Sequence, residues 1–301
     1  MRLNRLDLNL LVALDALLEE KKTIVVARRL NVSQSAVSGM LARLRVFFDD
    51  ELLVQMGRQL ELTPLGRALE VPVRELLMHI HATLAIRPTV SIATERRQFR
   101  ITASDYVTPI LIPALGRRLQ ALAPLLTVEL QPPMQGGGEG LRRGETDLLI
   151  APEQYIDPDQ PYEVLFEDTF SCVVWEHNDQ VGDVLDLASF LRCSHVSPSI
   201  GRPRGPGLVD TFFDTQNIVR HIAITTHDFT SVGAIVVGSN YIGTMQTRLA
   251  LSSRLRLPLR VLTPPVPVPP IKVCMQWHHN QTSDLVHRWL REQLSDIAQE
   301  S

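Results

Sequence analysis

Two short stretches carry the residue types that a small anion would need. Ile101-Thr-Ala-Ser104-Asp105-Tyr106 and Ile224-Thr-Thr226-His227-Asp228-Phe229 share an outline: an apolar run of strand character, a cluster of short polar side chains, then an apolar helix. Ser104 and Thr226 would each open a helix and aim unpaired N–H groups and a positive helix end into a cleft. Arg248, in a turn after another strand, would add a planar fork for a carboxylate or phenolate; the alternative for it is a surface charge or an ion pair with Asp228. Asp105 and Asp168 would oppose an anion unless paired, and suit phenolic hydrogens instead. Phe166 and Phe229 are either walls for a ring or plain core. Arg202 and Arg204, in the Gly/Pro loop SIGRPRGPG, either cover such a cleft or are solvated.

Other chemistries find little support. The chain has no GxSxG, HExxH, P-loop or GxGxxG element, and the GGGEG run at 136–140 lacks the Lys and spacing that phosphate binding requires, so an enzyme is not expected. His278-His279 and the pair His79 and His81 lack the companions zinc would need, and Cys172, Cys193 and Cys274 are too far apart in sequence for a CxxC site. No cofactor and no metal are therefore expected. Cys172 lies in an apolar run, which suits an inert thiol better than a redox sensor. The 301 residues include 30 Lys+Arg against 33 Asp+Glu and are 45% hydrophobic, the balance of a globular chain rather than a disordered one. No apolar run approaches the roughly 18 residues of a spanning helix, and MRLNRLDLNL has no secretory h-region, so no membrane role and a cytoplasmic location are expected.

These residues need elements to place them. From Phe99 onward, β-rich runs (FRITA, TVELQ, DLLIA, FSCVVW, HIAITT, YIGTM, IKVCMQW) alternate with helical stretches, the pattern of an α/β domain with largely parallel sheets in two sub-lobes. The proline-rich VLTPPVPVPP at 261–270 would return the chain from the second lobe to the first. Upstream lies a different region. Residues 1–90 hold 12 Lys+Arg and 10 Asp+Glu, against 18 and 23 in the remainder, a slightly basic head on an acidic body. Leu10, Leu14, Leu17 and Leu18 predict a helix over 6–20, a second follows at about 24–30, and Ser33 caps a third whose Val37, Met40, Leu41 and Leu44 turn inward. Two short strands about Gly57-Arg58 complete a winged helix-turn-helix. Thr63-Pro64 then starts a long helix in which Leu69, Val73, Leu76 and Ile80 repeat as a pairing seam, or as a stripe buried within one monomer.

DLNLLVALDALLEE, ARRLNVSQSAVSGMLARLR and LELTPLG together resemble the N-terminal region of LysR-type transcriptional regulators, and RRGETDLLIAP, IGTMQTRLA and KVCMQWHH look like the branch that includes nodulation and salicylate-responsive regulators. The resemblance implies an α/β chain with an all-α winged helix-turn-helix domain (1–62), a linker and dimerisation helix (63–87), a hinge (88–96) and a bilobed, periplasmic-binding-protein-like effector domain (97–301). Lobe I would span about 97–162 and 267–301, and lobe II about 163–266. It further implies a dimer or homotetramer on double-stranded promoter DNA that changes its contacts when a small molecule enters the cleft, with RNA polymerase a further contact. Activation and repression are both compatible with the sequence.

In that frame Ser33, Gln34, Ser35 and Ser38, which alone would read as a cap and solvent-facing neighbours, stand where base and phosphate contacts are made; a Gln amide can address an adenine edge and hydroxyls bond phosphates. Arg58 at the wing tip would enter the minor groove or pair with phosphate, while Arg43 and Arg45 either touch phosphate or coat their helix. The chain departs from the family pattern at Ile24-Val25-Val26-Ala27, where Thr23 would have to cap, and at Gly39 and Met56, where arginines are common. The effector expected from the two helix ends, Arg248 and the resemblance is an aromatic acid or phenol. The alternatives are a solute-binding module, since bilobed clefts serve there too, or a regulator that senses oxidants through a cysteine.

Overall fold

The computed structural model describes residues 7–56, 59–84, 90–133, 138–199 and 207–300. Arg58, Arg202 and Arg204 lie outside these, as does the expected hinge up to residue 89. The chain forms two compact units that part near residue 88.

The first unit begins with α1 (Asn9–Glu20), α2 (Thr23–Arg29) and α3 (Gln34–Phe48). Lys21 and Asn31, both in the left-handed region at φ 51° and 54°, turn the chain after α1 and α2. Leu14, Leu17, Val26, Val37 and Leu44 bury fully beneath the three helices, each such side chain favouring the folded state by about 1.5 to 3 kcal/mol over exposure. Strands β1 (Leu53–Met56) and β2 (Gln59–Leu62) pair antiparallel and form the wing. Thr63 then accepts from Gly66 N at 3.0 Å and donates to Asp50 at 2.7 Å, capping α4 (Pro64–Leu84) and tying it to the turn after α3. Gly66 is required here, because an added Cβ would lie 2.5 Å from the Leu52 carbonyl oxygen.

The second unit holds two five-stranded sheets. Strands β3 (Arg97–Ala103), β4 (Leu126–Gln131), β5 (Leu148–Pro152), β6 (Tyr162–Asp168) and β12 (Ile271–Gln276) form one, in the order β4-β3-β5-β12-β6. The other, in the order β11-β7-β10-β8-β9, consists of β7 (Phe170–Trp175), β8 (Ser194–Pro198), β9 (His221–Thr226), β10 (Ile242–Gln246) and β11 (Leu259–Leu262). The sheets are mixed rather than largely parallel. β3 runs parallel to β4 and β5, and β8 to β9 and β10, but β12 is antiparallel to β5 and β6, and β7 is antiparallel to β10 and β11. The reason is topological: β7 and β12 each enter their sheet from the other lobe, not through a βαβ crossover. Because β6 pairs with β12, the chain leaves the first sheet at Thr169 rather than near residue 163, and segment 263–270 brings it back.

Helices α5 (Thr108–Leu122), α6 (Glu139–Arg142) and α11 (Leu285–Glu300) accompany the first sheet, and α7 (Leu187–Arg192), α8 (Leu208–Thr215), α9 (Thr230–Val236) and α10 (Thr247–Arg254) the second. One apolar core runs from Phe99, Ile101 and Leu111 through Phe166 to Val173, Val232 and Met245. At Gly243 a Cβ would stand 2.3 Å from Val232 Cγ1, so glycine lets α9 lie close on β10. None of the described helices is long and apolar enough to cross a membrane.

Candidate functional sites

In the first unit the exposed side of α3 carries a chain of fixed polar groups. Ser33 Oγ accepts from Ala36 N at 3.2 Å, which makes it the N-cap, and lies 2.9 Å from Ser35 Oγ. Ser38 Oγ donates to the Gln34 carbonyl at 3.1 Å, and Gln34 Nε2 donates to Thr23 Oγ1 at 3.1 Å. All four named α3 residues are exposed. Thr23 does not cap α2 as expected: Lys22 holds that position, and no side chain bonds the first turn. Arg43 faces Asp7 at 3.3 Å, an exposed, water-screened pair and therefore readily exchanged for another anion. Arg45 coats its helix and braces the wing instead, donating to the carbonyls of Glu51 and Leu53 at 2.9 and 2.8 Å. Gly39 has open space around it and Met56 is exposed, so the face is sparse in charge.

The stripe on α4 divides. Val73 is buried in the head's own core with Leu69 packed against it, whereas Leu76 is 46% exposed and Ile80 is half-buried. Beside Val73, Arg74 meets Asp15 and Glu19 of α1 at 3.0 Å each, and Glu19 also binds Arg29 of α2 at 2.6 Å. Burial opposes ionisation at Glu19, but the two guanidinium groups prevail and hold its carboxyl below the usual range.

In the second unit the two expected helix caps are not made by the expected residues. α5 starts four residues after Ser104, and it is the Ser104 carbonyl that accepts, from Val107 N at 3.0 Å and Thr108 N at 3.2 Å. Pro109, with no N–H, occupies the first turn and removes the need for one cap. α9 starts four residues after Thr226, and Asp228 caps it, accepting from Ser231 N at 2.6 Å. Burial alone would raise the Asp228 carboxyl, but hydrogen bonds from Ser231, Thr230 and Thr226 outweigh it and hold it low. Thr226 Oγ1 serves that Asp, within 3.3 Å of its N–H. The remaining N–H of the turn, that of Thr230, is taken by the Asp105 carboxylate from the first lobe at 2.8 Å. Asp105 thus occupies part of the place expected for a ligand anion. Beside this contact an open groove of about 460 Å³ is lined by Thr108, Pro109, Ile112 and Pro113.

Deeper, where β6 passes into β7, lies a second cluster. Asp168 is buried, accepts from Tyr106 Oη at 2.5 Å and from Thr169 N at 2.8 Å, and receives the Arg248 N–H at 3.3 Å at the start of α10. Burial raises the Asp168 carboxyl above its usual range despite those hydrogen bonds, and burial with the Asp168 contact raises the Tyr106 phenol strongly. The Arg248 guanidinium stacks on Phe166, 4.4 Å from the ring centre, and its Nη1 is buried without a hydrogen-bond partner. Gln246 Oε1, two residues away, is likewise buried and unpartnered. Thr247 Oγ1 links Thr169 and Ser171 at 2.8 Å each. Phe229 meets Tyr106 edge to face at 6.3 Å. Arg248 therefore neither pairs with Asp228 nor lies free on the surface. The sequence reading missed Tyr106, Gln246 and the hydroxyls of Thr169, Ser171 and Thr247; the polar run Thr169-Phe-Ser171 at a strand start was the signal for the last group.

Among the described residues no group of three His, Cys, Asp or Glu side chains converges as a metal site. All three cysteines are free and buried, and burial pushes the Cys172 thiol up to about 12, so it stays protonated at neutral pH.

Comparison with known proteins agrees with this division. Residues 8–67 match the family model for the bacterial regulatory helix-turn-helix protein, lysR family, and residues 93–299 match the LysR substrate binding domain. The chain is 37% identical to nodulation protein D of Bradyrhizobium sp. (strain ANU 289) over 100% of its own length and 90% of that protein. Among solved structures it is similar to a probable transcriptional regulator, PA0477, from Pseudomonas aeruginosa, with TM-score 0.64, 26% identity and 97% of both chains covered. A full-length OxyR variant from the same organism shares the fold at TM-score 0.73 and 19% identity, over 98% of this chain and 95% of that one. With a helix-turn-helix head whose polar face is exposed and a two-sheet effector unit matched over nearly its whole length, this chain belongs to the LysR family of transcriptional regulators.

Proposed function

We propose that the protein reads promoter DNA through α3 and the wing, and that an aromatic acid or phenol bound between the two lobes alters that contact. The observation that carries the effector assignment is the buried, unpartnered Nη1 of Arg248 above the Phe166 ring. A guanidinium nitrogen hidden from water without a partner is costly, and a carboxylate or phenolate supplies what it lacks. Phe166 already presents an aromatic face there, and the Thr169-Thr247-Ser171 hydroxyls and Gln246 offer polar contacts for ring substituents. Ser104, just past β3, and Thr226, at the end of β9, do not serve as anion-binding helix starts. Asp105 favours effectors that bring a hydrogen-bond donor and a single negative charge over dianions.

On the DNA side, Gln34 addresses a base while Ser33, Ser35, Ser38 and Arg43 serve phosphates. Leu76 and Ile80, the half of the stripe not consumed in the head, pair α4 with its copy in a dimer, and dimers assemble further. Two heads held together gain affinity that single heads with so few cations lack. The test begins with selection of bound duplexes from a randomised library, followed by anisotropy on the enriched sequence at two salt concentrations. It is repeated with salicylate, other aromatic carboxylates and phenols. An enriched inverted repeat whose affinity or bend responds to these compounds supports the proposal; indifference to every duplex removes the regulator reading, and a response only to aliphatic or cationic compounds removes the effector class.

A further inference from the structure

We infer that Thr23 is a specificity-determining positioning residue whose hydroxyl holds the Gln34 carboxamide ready to read an adenine edge. The inference rests on α3 being the DNA-facing helix. Gln34 Nε2 donates to Thr23 Oγ1 at 3.1 Å, a contact between two helices and eleven residues apart in sequence. Lys22 holds the N-cap position of α2 and the helix carries no side-chain cap, so the Thr23 hydroxyl, one residue inside, has no capping role to serve. The hydroxyl is directed at the recognition helix instead. Gln34 is gripped a second time through its main chain, whose carbonyl accepts from Ser38 Oγ.

The chemistry of that grip fits base reading. An unrestrained Gln must give up the freedom of several rotors when it meets a base, whereas here much of that freedom is surrendered before DNA arrives. With one Nε2 hydrogen committed to Thr23, the other and Oε1 remain, the donor and acceptor that N7 and N6 of adenine require. Thr suits the holding role, since its β-branch narrows χ1 and so leaves the hydroxyl fewer directions than an unbranched side chain would have. The face has little else with which to discriminate, as Gly39 and Met56 stand where longer charged groups would reach the groove.

The experiment compares full-length wild type, Thr23→Val, Thr23→Ala, Thr23→Ser, Gln34→Ala and the Thr23→Val/Gln34→Ala double variant on the enriched duplex and its single-base variants. Gln34→Ala is expected to flatten the preference at one A·T pair per half-site. Thr23→Val and Thr23→Ala should flatten the same pair about fivefold, the scale of one net hydrogen bond, with an unchanged salt slope. Thr23→Ser should keep most of the preference, and the double variant should lose no more than Gln34→Ala. The inference is overturned if both hydroxyl deletions keep the wild-type preference, if they weaken all duplexes alike with a shallower salt slope, as a lost phosphate contact would, or if Gln34→Ala changes no position. Wild type that enriches no sequence overturns the regulator proposal and this inference with it.

Discussion

Replacing Arg248 by Met separates what that side chain does for the fold from what it does for a ligand. Met keeps the backbone N–H that meets Asp168 and a stem long enough to lie on Phe166, so only the guanidinium is lost. Without ligand, that group gains about 0.5 to 2 kcal/mol from the ring, together with attraction to Asp168. Against this stands a buried nitrogen without a partner, which costs about 1 to 3 kcal/mol. Asp168 retains Tyr106, Thr169 N and the residue 248 N–H in the variant. The opposing contributions nearly cancel, so the ligand-free melting temperature should move by no more than about 3 °C for a unit of this size. With an aromatic carboxylate, the charge-assisted bond to be lost is worth about 1.5 to 3 kcal/mol, or roughly 10- to 150-fold in Kd. Calorimetric titration with salicylate and thermal melting report the two quantities. Arg248→Lys should recover little of the loss, because an ammonium neither stacks nor forks. A large fall in ligand-free melting temperature with ligand affinity unchanged would refute the reasoning and make Arg248 a structural counter-ion of Asp168.

Three further outcomes are expected. His195 and His287 are buried and burial lowers both to about 4; being neutral in the fold and basic at about 6.5 when unfolded, they take up protons on unfolding, so stability is full above pH 6.5 and falls as the pH drops toward 4. Each should cost about 2 kcal/mol between pH 7 and 5, and urea midpoints that stay flat over that window would contradict this. Gly39→Ala, in open space on α3, should raise head stability by about 0.5 to 1 kcal/mol, and Gly39→Arg should steepen the salt dependence of DNA binding by about one phosphate per head; anisotropy at several salt concentrations checks it, and an unchanged slope counts against α3 facing the duplex. Asp105→Asn keeps an acceptor for Thr230 N but removes a charge, so aromatic carboxylates should bind about three- to tenfold tighter, and calorimetry showing weaker binding would mean that the anion sits elsewhere.

The head was legible in the sequence because its signals are local. The helical spacing of Leu10 to Leu18 and the caps Ser33 and Thr63 each depend on a few neighbouring residues, and each stands where expected. Strand direction was not local. Nothing within IKVCMQ says that the chain arrives from the other lobe, which is what makes β12 antiparallel. Arg248, Phe166 and Asp168 do meet, Arg248 lying on the Phe166 ring with its N–H on Asp168, but Tyr106, which completes the cluster sixty-two residues from Asp168, is picked out by no spacing rule. Ser104 and Thr226 misled because a hydroxyl after a strand reads as a cap, whereas Pro109 and Asp228 moved both helix starts four residues onward. On α4 one periodicity divides: Leu69 and Val73 satisfy the head, and the later positions Leu76 and Ile80, which the proposed dimer would use, are left exposed or half-buried.

The carboxylates of α1 that clasp Arg74 also clasp Arg29, which makes the opening turns of α4 an extension of the head rather than a swivel beneath it. Under the proposed function, residue 74 of the rod would therefore turn together with the reading surface, leaving compliance to the turns beyond. In the proposed dimer, lengthening or shortening the rod past that clasp would rotate one head about its partner by some 100° per residue, altering which spacing of paired sites such a dimer accepts while leaving each head's own preference intact.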